Sequence, residues 1–140
     1  DAATRGFKKR DMQKRKEIIA ETDPALMISI HQNFYPLKST RGAQVFYKDG
    51  DETAKILAQN IQKSFNEMDG AIREYSALTG DYYILNCTKY PSIIAECGFL
   101  SNPEDEALLI TEEYQDTIAL NIFKGIVEYF SKSTASEKSE

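Results

Sequence analysis

One histidine and one glutamate stand where two apolar runs end, and both are residue types that move protons or hold metals. Leu26-Met27-Ile28-Ser29-Ile30 leads into His31, the only histidine of the chain, and Ser92-Ile93-Ile94-Ala95 leads into Glu96. Short apolar runs bounded by turn residues read as buried strands. In α/β folds the working groups gather just beyond the carboxyl ends of the strands. An imidazole and a carboxylate delivered in this way make half of a metal-hydrolase site. Each also has a plainer reading. A lone histidine after a strand is more often a hydrogen-bonded structural residue than a ligand. A carboxylate closing an Ile-Ile-Ala run would cost several kcal/mol to bury unpaired, so Glu96 must meet a cation, a metal or solvent in a cleft. A salt bridge to one of the 17 basic residues would satisfy it equally well. Asn33 either orients a ligand or caps a turn, Arg73 reads as a surface charge, and Tyr82, Tyr83 and Tyr90 read as core and rim.

The elements that must position these groups follow from patterning. Residues 8–21 are polar and helix-forming, and Asp23-Pro24 ends that helix because proline disfavours the helical region for the residue before it. Strand 26–31 comes next, then a loop over 34–41 marked by Tyr35-Pro36 and Ser39-Thr40-Arg41-Gly42. Strand 43–48 follows, with Val45 and Tyr47 on one face and Phe46 on the other. Asp49-Gly50-Asp51 opens a long helix to about Met68, with Ala54, Leu57, Ala58, Ile61, Phe65 and Met68 as one apolar stripe. Segments 81–85 and 92–96 read as two further strands. Ser101-Asn102-Pro103-Glu104 starts a helix, with a cap and a proline in the first turn, and Asp105 and Glu106 lie where its dipole favours acids. Thr111-Glu112-Glu113 starts the last helix, whose stripe Tyr114, Ile118, Ile122, Ile126, Val127 and Phe130 is expected to pack on the sheet. Residues 1–130 thus form one domain and 131–140, rich in Ser, Lys and Glu, a frayed tail. Strands alternating with helices imply an α/β three-layer sandwich, with a mostly parallel twisted sheet and helices on both faces.

Bulk properties narrow the function classes. With 140 residues, one core is the expectation, and 41% hydrophobic residues fit a globular fold. A net charge of −5 argues against nucleic-acid binding and against anionic membranes. No apolar run is long enough to span a bilayer. The start at Asp1 without methionine suggests a trimmed or processed product, so the lack of a leader says little about location. Cys87 and Cys97 match neither a disulfide framework nor a zinc ribbon. Cys97 could in principle pair with the histidine as a nucleophile, but a small buried apolar role is the ordinary reading. Phosphate-binding, dinucleotide, His-Glu-x-x-His and nucleophile-elbow motifs are absent.

Several blocks then align in order: Thr4-Arg5 with Arg15, Ser29-Ile30-His31-Gln32-Asn33, Gly42-Ala43-Gln44-Val45-Phe46-Tyr47, and Arg73 ahead of Tyr82-Tyr83-Ile84-Leu85. Pro91 leads into Glu96-Cys97-Gly98-Phe99-Leu100-Ser101-Asn102, and Tyr114-Gln115, Gly125-Ile126 and Tyr129 close the series. Together they resemble the zinc-dependent N-acetylmuramoyl-L-alanine amidases that cleave bacterial cell-wall peptidoglycan. The Gln-Asn after the histidine and the Tyr-Tyr-Ile-Leu block resemble the germination-specific, spore-cortex subgroup. The resemblance implies His31 as a ligand of Zn2+ and Glu96 as the catalytic carboxylate. It also implies peptidoglycan as substrate, an extracytoplasmic site of action in cell wall or spore cortex, a role in making muramic lactam, and a possible partner lipoprotein.

One departure from the family bears on activity. Its first strand with a His-Gly-Gly motif and its first helix with a glutamate, which carry two further zinc ligands, have no counterpart in these residues, so the fold is expected to be incomplete at the N-terminus. Two readings follow. The chain is a portion of a genuine amidase and inactive by itself, or it is a zinc-free remnant serving as a binding or scaffolding module.

Overall fold

The computed structural model describes residues 2–137. Its elements run α1 (Ala2–Thr22), β1 (Met27–Asn33), β2 (Gln44–Tyr47), α2 (Glu52–Glu67), β3 (Leu78–Thr79), α3 (Tyr83–Asn86), β4 (Ser92–Phe99), α4 (Pro103–Leu109) and α5 (Glu112–Glu137). The sheet order is β1-β4-β2-β3. β1 lies parallel to β4 and β3 parallel to β2, while β2 and β4 are antiparallel, so the sheet is mixed with two of three pairings parallel.

β4 is central, and all eight of its residues are buried. Strand alternation sends Ile93, Ala95 and Cys97 to one face, where they meet Leu57, Ile61 and Phe65 of α2 and Ile118, Ile122 and Tyr129 of α5. Ile94 points the other way, to Ile84 and Leu85, with Met12 and Ile19 of α1 packed alongside. Helices therefore cover both faces, which is the three-layer arrangement expected. Gly125 lets α5 approach α2 closely, since a Cβ there would stand 2.6 Å from the Ile61 Cα. Two caps match the residue pattern. Asp51 accepts from the Ala54 N–H, and Asn102 accepts from the N–H groups of Glu104 and Asp105 ahead of α4.

Three expectations are corrected. Segment 81–85 is not a strand: Tyr83–Asn86 form a helical turn, and the fourth strand is the short Leu78–Thr79 pair. The physical reason is that Ile84 and Leu85 are adjacent and both buried against Ile94, which a helical turn allows and strand alternation forbids. In α5, Ile118, Ile122 and Tyr129 are buried while Val127 and Phe130 remain 46% and 42% exposed, because Tyr129 takes the inward position near the end of the stripe. The helix also continues past Ser131 to Glu137, where a frayed tail was expected, and residues 138–140 of that tail lie outside the described residues. Among the described residues no helix is long and apolar enough to cross a membrane, and Cys87 and Cys97 are both free thiols.

Candidate active site at the β1–β4 rim

His31 and Glu96 come together. In the parallel β1–β4 ladder they are register partners, so they sit side by side on neighbouring strands with their side chains on the same face. That position is at the carboxyl end of both strands. On the other flank of β4, Glu96 is paired with Gln44. Gln44 is buried, and its amide donates to the Ser76 carbonyl at 2.6 Å.

The two groups differ in environment. Glu96 is 9% exposed, and its Oε2 is buried without a hydrogen-bond partner. Burial pushes its carboxyl pKa up from the ordinary value. No salt bridge to Glu96 is formed among the described residues, so the ion-pair alternative is not realised. His31 is exposed, and its Nε2 lies 2.7 Å from the Ser29 hydroxyl, two residues back on the same strand face. Burial, and then the nearby positive charge of Arg15, lower its pKa and favour the neutral imidazole. A neutral imidazole is the form that binds a metal.

Other candidates fall to their plainer readings. Cys97 points into the core on the opposite face from Glu96, and burial, with the Glu96 charge adding to it, pushes its thiol up to about 11. It is no nucleophile there. Asn33 turns back locally, accepting from the Phe34 N–H at 2.9 Å. Arg73 is exposed and stacks over the Tyr75 ring. A recess of about 350 Å³, lined by Gln62, Asn66, Tyr75 and Ser76 among others, contains neither His31 nor Glu96. It lies between α2 and residues 74–77, and the Gln62 amide at its wall already bonds the Val45 N–H and the Ala43 carbonyl.

Among the described residues no three His, Cys, Asp or Glu side chains gather so as to hold a metal ion. Among the described residues, His31 and Glu96 alone do not complete a metal centre. A carboxylate poised with an uncommitted oxygen, beside an accessible neutral imidazole, can accept and return a proton at one rim of the sheet.

Sequence patterning missed a third group at this rim. Asp105 looks in sequence like a helix-dipole residue, yet it is 3% exposed, and its carboxylate accepts from the N–H groups of Gly42 and Phe99 and from Arg41 Nε. Only the block's own spacing, Gly98 ahead of a capped turn, hinted that a side chain would fold back there.

Comparisons with known proteins place the chain in a family. The family profile described as N-acetylmuramoyl-L-alanine amidase matches residues 3–128. The germination-specific N-acetylmuramoyl-L-alanine amidase of Bacillus subtilis is 34% identical over 136 residues, covering 92% of this chain and 56% of that protein. The amidase LytC of the same organism is 30% identical over 121 residues, covering 85% of this chain and 24% of that protein. Among solved structures, the CwlD amidase from Clostridioides difficile in complex with the GerS lipoprotein superimposes with a TM-score of 0.88 at 34% identity, over 91% of this chain and 66% of that one. The chain thus spans about half the length of the germination-specific relative. On the profile match across nearly its whole length, this chain belongs to the N-acetylmuramoyl-L-alanine amidase family.

Proposed function

We propose that the protein to which this chain belongs hydrolyses the amide between the lactyl group of N-acetylmuramic acid and L-alanine in peptidoglycan, with Glu96 as general acid and base. The observation that carries this reading is the pairing of His31 with Glu96 on adjacent parallel strands, with one Glu96 oxygen left unbonded. A carboxylate of raised pKa suits both halves of the task. It takes a proton from the attacking water and gives it to the departing amine, since a group that titrates closer to neutrality does each more readily. The Ser29 hydroxyl fixes the His31 ring, and that ring serves as one ligand of Zn2+ whose other donors lie outside the described residues. Such an ion, when bound, polarises the scissile carbonyl and acidifies the water. By itself the 140-residue chain is then expected to be inactive, because one imidazole holds zinc weakly; a zinc-free binding or scaffolding role is the competing reading, favoured by the absence of a three-ligand cluster among the described residues.

The relatives' names support action outside the cytoplasm, on cell-wall or spore-cortex peptidoglycan. The relative solved with the GerS lipoprotein supports a lipoprotein partner for this protein too.

The test is hydrolysis of muropeptides by the full-length protein, followed by mass spectrometry of the freed L-alanine termini, alongside Glu96→Gln with metal content measured. Zinc retained and rate lost is the expected result. Zinc lost together with the rate would make Glu96 a ligand, and no hydrolysis by the intact protein would remove the enzyme reading.

A further inference from the structure

The ladder that aligns His31 with Glu96 breaks immediately beyond them. Register passes from His31↔Glu96 to Asn33↔Phe99, two residues of β1 against three of β4, so β4 carries a bulge at Cys97–Gly98. Regular pairing is interrupted just beyond the site and resumes at Asn33↔Phe99, where the Leu100 N–H donates to the Asn33 carbonyl, while the buried Phe99 N–H donates to the Asp105 carboxylate.

We propose that Asp105 is a positioning residue of the hydrolytic site, tying the loop that follows His31 to the turn that follows Glu96 and so holding the two groups side by side. This rests on the roles given above to His31 and Glu96. One carboxylate oxygen of Asp105 accepts from Phe99 N at 3.0 Å and from Gly42 N at 2.8 Å, and the other accepts from Arg41 Nε at 3.0 Å. The bulge donor on β4 and the far end of loop 34–41 thus converge on one side chain. Arg41 also pairs with Glu104, and its carbonyl accepts from the Tyr75 hydroxyl. The remainder of the loop is held by the same turn. The Tyr35 N–H donates to the Ser101 hydroxyl, and the Asn102 amide donates to the Lys38 carbonyl.

Gly98 belongs to this arrangement. A Cβ on it would stand 3.4 Å from the Asp105 Oδ2 and 3.4 Å from Leu109, an ordinary contact distance, so Gly98 lines the place where the carboxylate reaches Phe99. An asparagine at 105 has a single acceptor oxygen, and its amide nitrogen would confront a donor, so Asp105→Asn releases at least one of the three ties.

The test uses the full-length protein with Asp105→Asn, Asp105→Ala, and Leu57→Val in the core as a control of comparable melting temperature loss. All are assayed well below every melting temperature. Misplacing reacting groups by an ångström costs about 100-fold, so Asp105→Asn is expected to lower kcat by about that factor with KM nearly unchanged. Amide exchange at Gly42 and Phe99 should accelerate in Asp105→Ala, which removes both acceptor oxygens. Leu57→Val should keep its kcat. The proposal is overturned if kcat of Asp105→Asn stays near wild type, if its loss matches that of Leu57→Val, or if the two amides remain protected in Asp105→Ala. Should the wild-type protein itself fail to hydrolyse muropeptides, the proposed function fails instead, and the amide exchange decides whether the tie exists.

Discussion

β1 and β4 are neighbours with the same direction and matched register, yet they are different kinds of strand. Every residue of β4 is buried, whereas β1 passes from half-buried at Met27 to exposed at Ile30, His31 and Gln32. Each ends on one ionisable group, and the contrast sorts the chemistry between them. The interior strand presents a carboxylate that desolvation makes more basic, and the edge strand presents an imidazole open to further partners. A carboxylate on β1 would be solvated and acidic, and a histidine on β4 would be sealed in. Among the described residues, the pair joins a buried strand that raises a carboxyl pKa to an exposed strand end.

The contrast breaks most severely at Glu96. Glu96→Gln in the full-length protein removes the proton carrier while keeping shape, and a loss of about 10²–10⁴-fold in kcat is expected for a general acid–base group; steady-state hydrolysis of a defined muropeptide measures it. Next come paired truncations on the two strands. Ile93→Ala, in the fully buried core, should cost about 2–5 kcal/mol in urea unfolding. Ile30→Ala, at 62% exposure, should stay within about 0.5 kcal/mol. Similar losses at both positions would erase the distinction between interior and edge. A smaller effect attends Gln62→Ala, which frees the Val45 N–H and the Ala43 carbonyl and should cost about 1–3 kcal/mol by the same measurement.

The smallest effect sharpens the reading of Glu96 as desolvated. Its folded pKa is raised, so the native state holds its proton more tightly than the unfolded chain does. Stability on this account is full below the ordinary carboxylate pKa and declines as pH rises through the folded value. Glu96→Gln should therefore be more stable than wild type at neutral pH and lose that advantage in acid. Melting temperatures across that range would show it, and an advantage that grew toward low pH would contradict the desolvated carboxylate.

Much of this was legible along the chain. The long helix through Phe65, the start of α4 and the strands ending near His31 and Glu96 follow from period, capping and apolar runs. These signals are local, and local signals survive being read in one dimension. Segment 81–85 was misread because Tyr-Tyr-Ile-Leu has strand propensity, and only contact with Ile94 from both Ile84 and Leu85 selects the helical turn. Val127 and Phe130 were misassigned because a stripe shows which residues share a side of a helix, while its packing partner decides how wide the buried strip is.

By itself the sequence determined the element types outside residues 78–86, the delivery of His31 and Glu96 to strand ends, and membership of the amidase family. Only the tertiary structure decided that the two strands are adjacent, that their register brings imidazole and carboxylate level, and that Asp105 folds back across the bulge. The physical reason is the range of the forces involved. Helix periodicity and caps act over a few residues, whereas strand register and buried hydrogen bonds join positions more than sixty residues apart. Those are settled when the whole core packs and each buried donor must find an acceptor.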